Sequence, residues 1–239
     1  MTEGMAFQVV HIDETDSTNR WLKEHGGGED MVVVAEYQTA GRGCGTNTWE
    51  SERGRNLLFS VLLHPTGIPA RDQFRITQMA SVALCHVLEQ YVSEVSIKWP
   101  NDIYVGDRKI CGMLIENTLQ GNVIRDCVIG IGLNVNQWEF HSDAPNPVSL
   151  CQIVGHEVER EDLLRDFLGR IERVAQREAL CSEYESRLFL RRKLVEYADK
   201  TGRFRAALQR VMPDGRLVLR DDGGCDRLYA FKEVRFIME

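Results

Sequence analysis

The sequence predicts an α+β fold with a small β-barrel appended near its C-terminal end. Three observations carry this reading. β-Branched strands and helical segments intermix over roughly the first 135 residues, one long apolar stretch after Pro69 has helical spacing, and after Thr201 the pattern changes to short alternating strands separated by turns. The 239 residues suffice for one large domain or a main domain with a satellite. The expected division is a main domain over 1–199 and a small one over 200–239.

In chain order, Phe7 to Ile12 reads as a strand. Thr15, Asp16, Ser17, Thr18 and Asn19 offer N-caps for a short helix through Trp21 and Leu22 that ends at Gly26-Gly27-Gly28. Met31 to Tyr37 is a β-branched strand, Gln38 to Arg55 a loop with four glycines, and Asn56 to His64 an apolar strand. A loop that long is usually functional or disordered. From Pro69, the residues Phe74, Ile76, Met79, Val82, Ala83, Val87 and Leu88 recur at helical spacing as far as Tyr91, which predicts a helix packed on a sheet.

Ser96 to Trp99 and Asp102 to Val105 are short strands around Pro100, and Lys109 to Asn117 with Val123 to Asn134 reads as a hairpin closed at Gln120-Gly121-Asn122. Residues 139–148, with Pro145 and Pro147, read as loop, and Arg160 to Asp199 as a charged, interrupted helical segment. Strands follow at Phe204 to Arg210, Leu217 to Arg220 and Leu228 to Phe231, with turns at Pro213-Asp214-Gly215 and Asp221-Asp222-Gly223-Gly224. So short a module must dock on the main domain to be stable.

Composition excludes several classes. With 43% hydrophobic and 27% charged residues the chain is globular rather than disordered. Its net charge of −7 repels polyphosphate, and the one basic cluster, Arg191-Arg192-Lys193, reads as a solvated helix face, so no nucleic-acid partner is expected. The cysteines at 44, 85, 111, 127, 151, 181 and 225 lack paired spacing, which argues against a zinc site or a disulfide framework and for a reducing compartment. Met1 to Gln8 has no signal-peptide character and no stretch is apolar enough to span a bilayer, so the expectation is a cytoplasmic protein without a membrane partner.

Three short segments have chemical potential. Gly41-Arg42-Gly43, with Thr39, Thr46 and Trp49 nearby, joins backbone N–H groups able to approach an anion with a guanidinium able to fork onto one; taken alone it reads equally as a mobile surface loop. Lys98-Trp99-Pro100-Asn101-Asp102 presents a cation, an amide and a carboxylate on a proline turn, suited to a phosphoryl group and its Mg²⁺, or simply to ending a strand. Gly130-Ile131-Gly132-Leu133-Asn134-Val135-Asn136 is an apolar strand whose glycines leave room and whose asparagines can bond a purine edge; a bulged core strand is the plainer alternative.

The set Ser17-Thr18-Asn19, Gln38, Gly41-Arg42-Gly43 with Trp49, Lys98 to Asp102, Lys109 to Glu116 and Gly130 to Asn136, in this order and with these gaps, resembles the biotin–protein ligases over roughly residues 8–137. The Lys-Trp-Pro-Asn-Asp string is the most specific part. The resemblance implies a mixed-sheet, biotin/lipoate ligase-like catalytic domain with an SH3-like C-terminal barrel. Its first motif begins at Ser17, so the expected type is ligase-only, without an N-terminal DNA-binding domain.

It further implies an ATP-dependent biotin–[acetyl-CoA-carboxylase] ligase that forms biotinyl-5′-AMP from biotin and Mg·ATP and passes biotin to a lysine of a biotin carboxyl carrier domain. A homodimer is left open. Lys98 and Arg42 are the implied catalytic residues. Biotin is expected against Ser17, Thr18, Asn19, Gln38, Gly41, Arg42, Lys98, Gly112 and Gly132, and ATP or adenylate against Arg42, Gly43, Trp49, Asn101, Asp102 and Asn134, with Asp102 near the metal. Two alternatives stand beside this reading. A lipoate–protein ligase shares the chemistry but has little use for the hydrogen-bonding set at 17–19 and 38. A non-catalytic biotin-sensing regulator would bind the adenylate without passing it on.

One departure stands out. After Gly-Arg-Gly the family often adds one or two basic residues, whereas Cys44, Gly45, Thr46 and Asn47 follow here, so Arg42 is the loop's single formal cation before Trp49. The expectation is a loop that closes less firmly, unless backbone N–H groups, Arg53 or Arg55 compensate.

Overall fold

A computed structural model describes residues 7–45, 47–141 and 146–237. Thr46, beside the glycine-rich motif, and Pro145, in the loop before Pro147, lie outside them. β1 (Gln8–Thr15) leads through a tight connection into α1 (Thr18–His25), then β2 (Met31–Gln38) and β3 (Leu57–Leu63). After a single 3-10 turn comes α2 (Phe74–Leu88), followed by β4 (Val95–Lys98), β5 (Asp102–Val105), β6 (Arg108–Gln120) and β7 (Val123–Leu133). The seven strands form one sheet in the order β1-β2-β3-β7-β6-β5-β4. β1 and β2 are parallel and every other neighbouring pair is antiparallel, so the sheet is mixed, as expected. β3 is apolar but for Ser60 and buried along its whole length, the pattern of a strand covered on both faces.

α2 is apolar nearly all round for a related reason. Twelve of its 15 residues are buried, because it lies between the sheet and a second helical layer, α4 (Arg160–Ala175) and α5 (Leu180–Ser186). Phe167 of α4 meets Phe59 of β3 edge-on, with ring centroids 5.4 Å apart. Between β7 and α4 the chain makes a short helix, α3 (Leu150–Val154), which opens on a capping box formed by Ser149 and Gln152 and closes on Gly155 at φ 83°.

The second sheet contains β8 (Leu194–Asp199), β9 (Gly202–Val211), β10 (Leu217–Asp221), β11 (Asp226–Tyr229) and β12 (Val234–Phe236), all antiparallel, in the order β11-β10-β9-β8-β12. It fits a small SH3-like barrel but is not closed. The interrupted helical reading of residues 160–199 holds through α4 and α5 and fails over the last part, where β8 stands. Leu190 and Arg192 take left-handed conformations, with φ 56° and 60°, just beyond α5, and the chain then extends as β8. β8 is fixed by pairing with β9 across the turn at Asp199–Gly202, so the expected division at 199/200 falls between two hydrogen-bonded strands.

The two sheets share one hydrophobic core. Tyr197, Leu208, Leu217 and Leu219 belong to the same buried cluster as α2 and the main sheet. Fully burying a side chain of this size stabilises a fold by roughly 1.5–3 kcal/mol, so the joint is a substantial part of the structure. Trp99 Nε1 donates to the Gly215 carbonyl at 2.9 Å across it. No helix among the described residues is long and apolar enough to cross a membrane.

Candidate active site

The site is built on one face of the main sheet by its register. Ser60, Gly130 and Leu114 are neighbours across β3, β7 and β6, and two residues along the same strands Leu58, Gly132 and Gly112 form the next row. The glycines make a trough, because residues two apart on a strand face the same side. Different side chains fill its two halves.

Asn19 fills the half over Gly130, where a Cβ would come within 2.8 Å of the Asn19 Cγ. Ser17, Thr18 and Asn19 all lie buried at the start of α1. The Thr18 N–H and hydroxyl donate to Gln38 Oε1 at 2.8 and 3.1 Å. Ser60 Oγ donates to Asn19 Oδ1 at 2.6 Å and stands 2.7 Å from Thr18 Oγ1; its one proton serves one partner at a time. Asn19 Nδ2 donates to the Leu114 carbonyl at 3.1 Å and to Glu116 Oε2 at 2.8 Å. The Ser17 hydroxyl makes no capping bond, although Ser17 is the N-cap residue.

Glu116 ends this polar row among cations, 2.7 Å from Lys23 Nζ and 3.9 Å from an Arg42 guanidinium nitrogen. Burial works to raise its pKa, but hydrogen bonds from Lys23 and Asn19 and the charges of Lys23 and Arg42 outweigh that and hold it below the usual carboxylate value.

The indole of Trp49 fills the half over Gly112 and Gly132. A Cβ on Gly112 would come within 2.9 Å of the ring, and one on Gly132 within 2.6 Å of its Nε1. The two glycines implied to approach biotin therefore clear space for Trp49. The glycine-rich loop brings the indole there by doubling back: Arg42 bridges Thr48, Gly43 N–H donates to the Asn47 carbonyl at 2.8 Å, and Trp49 N–H to the Gly41 carbonyl at 2.9 Å. Gly45 sits near the tip at φ 72°. Trp49 Nε1 and Asn134 Oδ1 are buried and find no hydrogen-bond partner among the described residues, while Asn134 Nδ2 donates to the Val148 carbonyl at 3.1 Å.

β4, the cis Trp99–Pro100 turn and β5 supply the third wall. Lys98 Nζ donates to the Tyr104 hydroxyl at 3.0 Å and lies 4.9 and 5.5 Å from the ring centres of Tyr104 and Phe236. Burial pushes the Lys98 pKa below the ordinary lysine value; Asp102 opposes this shift and Lys109 adds to it. Asp102 pairs with Lys109 Nζ at 2.8 Å, and Asn101 Nδ2 ties the turn to the Met113 carbonyl at 2.9 Å. Tyr184 of α5 holds it from behind, donating to the Pro100 carbonyl at 2.7 Å.

These walls enclose a cavity of about 740 Å³. Every residue expected in the site lines it except Gly41, which is buried behind the loop where a Cβ would meet the Trp49 carbonyl at 2.6 Å. The cavity brings together a hydrogen-bonding pocket, two cations in Arg42 and Lys98, and an indole with an amide. That set suits a small polar ring, a reacting anion and a planar base.

Comparison with known proteins identifies the family. The Biotin/lipoate A/B protein ligase family matches residues 12–134. The chain belongs to this family. Among relatives, it is 33% identical over 176 residues to the bifunctional ligase/repressor BirA of Bacillus subtilis (strain 168), covering 70% of this chain and 53% of the relative. It is 30% identical over 162 residues to the biotin–[acetyl-CoA-carboxylase] ligase of Paracoccus denitrificans, covering 64% of this chain and 67% of that one. The chain thus spans about half the length of the first of these relatives. Among solved structures, the biotin protein ligase from Aquifex aeolicus in complex with biotin and ATP superposes with a TM-score of 0.81 at 25% identity, over 96% of this chain and 99% of that one.

Several residues that line this family member's cavity or stand behind its walls carried no role in the sequence reading. Ser60 interrupts an otherwise apolar run, which was a usable signal. Glu116 and Lys109 stood only as the ends of a segment. Phe231, from the turn after β11, lines the cavity and meets Trp99 edge-on at 5.9 Å; its place depends on how the second sheet docks, and no local pattern reveals it.

Proposed function

We propose that the protein is an ATP-dependent biotin–protein ligase. A biotin carboxylate oxygen attacks the α-phosphorus of ATP, the bond to pyrophosphate breaks, and biotinyl-5′-AMP remains in the cavity. The amine of a lysine on the biotin carboxyl carrier domain of a biotin-dependent carboxylase then attacks the acyl carbon, AMP leaves, and the amine gives up a proton. The observation that carries this reading is that Gln38, Thr18 and Asn19, linked from behind by Ser60, share one cavity with Arg42 and Lys98.

The polar row supplies donors and acceptors for a ureido ring. Arg42 meets the carboxylate and later the adenylate phosphate, and Lys98 offsets charge on the reacting oxygens, in a half-buried setting where such interactions are stronger than in water. Trp49 and Asn134 take the adenine. Magnesium would enter with the polyphosphate, and Asp102 and Asn101, which line the cavity, would border it there. The reading carries a cytoplasmic location with it, since the reaction consumes ATP and the seven cysteines are free thiols.

A lipoate ligase reading is weaker, because a dithiolane makes no use of the hydrogen-bonding side chains at 17–19 and 38. The test is pyrophosphate release from Mg·ATP with biotin or lipoate as the acid. Release with biotin alone is expected; release with lipoate alone would overturn the assignment.

A further inference from the structure

The glycine-rich loop between Gln38 and Trp49 contains one formal charge, Arg42, and that guanidinium already faces Glu116 at 3.9 Å. The next two arginines in the chain are committed elsewhere. Arg53 pairs with Asp13 and Glu14, and Arg55 pairs with Glu157 at 2.7 Å. A second cation does reach the loop, from the other sheet. Lys232, in the turn between β11 and β12, donates from Nζ to the Cys44 carbonyl at 3.2 Å, and its ammonium occupies the place where a side chain on Gly45 would project.

Two further features mark this contact as built. Lys232 has φ 70°, a left-handed conformation that glycine adopts freely and lysine adopts at a steric cost. Such outliers persist where the surrounding structure or a function holds them. Next to it, Phe231 lines the cavity and packs on Trp99, so the turn that presents the ammonium is anchored in the site wall.

We propose that Lys232 is a positioning residue that fastens the glycine-rich loop to the second sheet, closing the loop over the acyl-adenylate and slowing that intermediate's escape. The role in retaining an intermediate rests on the adenylation reading; the fastening of the loop does not. Lys232 acts through the Cys44 carbonyl and touches no reacting atom. Its substitution therefore alters release of the intermediate more than its formation.

Two variants isolate the effect. Lys232→Gly removes the ammonium while suiting the left-handed turn, so folding is preserved, and Lys232→Arg keeps a cationic donor. Amide hydrogen exchange at Gly43 and Trp49, both hydrogen-bonded within the loop, is measured without ligand. In parallel, release of pre-formed biotinyl-5′-AMP is followed after dilution into excess unlabelled biotin and ATP. In Lys232→Gly, exchange at both amides and release of the adenylate are expected to rise about three- to tenfold, the scale of one ordinary solvent-exposed hydrogen bond. Lys232→Arg is expected to stay near wild type. Unchanged exchange in Lys232→Gly overturns the fastening, and faster exchange with unchanged release overturns the retention role. Failure of the wild type to form any adenylate overturns the functional reading, and the exchange measurement still decides whether Lys232 holds the loop.

Discussion

Trp49 lies where a side chain on Gly132 would have to be: an added Cβ would stand 2.6 Å from the indole Nε1. Gly132 pairs with Gly112 across β6 and β7, so the sheet is bare on both strands beneath the ring. Gly132 is not among the residues with positive φ, and alanine there is opposed by the contact rather than by the backbone. Overpacking of this kind costs about 1–3 kcal/mol. Gly132→Ala is expected to weaken ATP binding about five- to a hundredfold and biotin binding less, as read by calorimetric titration of each ligand.

Ser60 joins Thr18 and Asn19 in the polar row proposed to meet biotin. Its hydroxyl is fully buried between Thr18 and Asn19, so Ser60→Ala leaves a buried acceptor short of a donor. The expected loss of stability is about 1–3 kcal/mol in denaturant unfolding, with weaker biotin binding and ATP binding largely kept. An unchanged biotin affinity would remove this network from ring recognition.

Lys98 is expected to set a pH limit. In the proposed reaction its ammonium is the useful form, and burial lowers its pKa, so turnover should fall as pH rises through a value below the roughly 10.4 of a free lysine. Asp102 opposes that shift, hence Asp102→Asn should move the alkaline limb to lower pH. The sign for stability is opposite: between the folded and the ordinary value the unfolded chain binds more protons, so this group's contribution to stability rises with pH. Lys98→Ala should lower kcat about a hundred- to a thousandfold while sparing biotin affinity, since a cation that meets developing charge acts mainly on the transition state.

Because Tyr197, Leu208, Leu217 and Leu219 share a core with α2, the two sheets should unfold together. Far-UV circular dichroism and tryptophan fluorescence are expected to give one coincident transition in denaturant. Ending the chain at residue 199 would strand β8 without β9 and is expected to yield insoluble protein.

What could be read from sequence was local. The strands at 31–38 and 57–63, the 3.6-residue period of α2 and the Lys98 to Asp102 turn are written in adjacent residues. β8 was misread because its charged residues fit a helical face as well as a strand, and only pairing with β9 decides between them. α3 went unseen because it is a single short turn whose signal is the cap at Ser149. In the site, most residues that present groups to the cavity were legible, Tyr104, Lys109 and Phe231 excepted, whereas those that hold them were not. Ser60, Glu116, Tyr104 and Lys232 act through partners from 6 to 188 positions away.

The most direct test of the central claim is transfer itself. Purified protein, Mg·ATP and biotin are incubated with a biotin carboxyl carrier domain, and intact-mass spectrometry follows the carrier. The account predicts addition of one biotinyl group, dependent on ATP and absent when the acceptor lysine is replaced by arginine. Formation of biotinyl-5′-AMP with no mass change on the carrier would contradict it, leaving a protein that binds and activates biotin without passing it on.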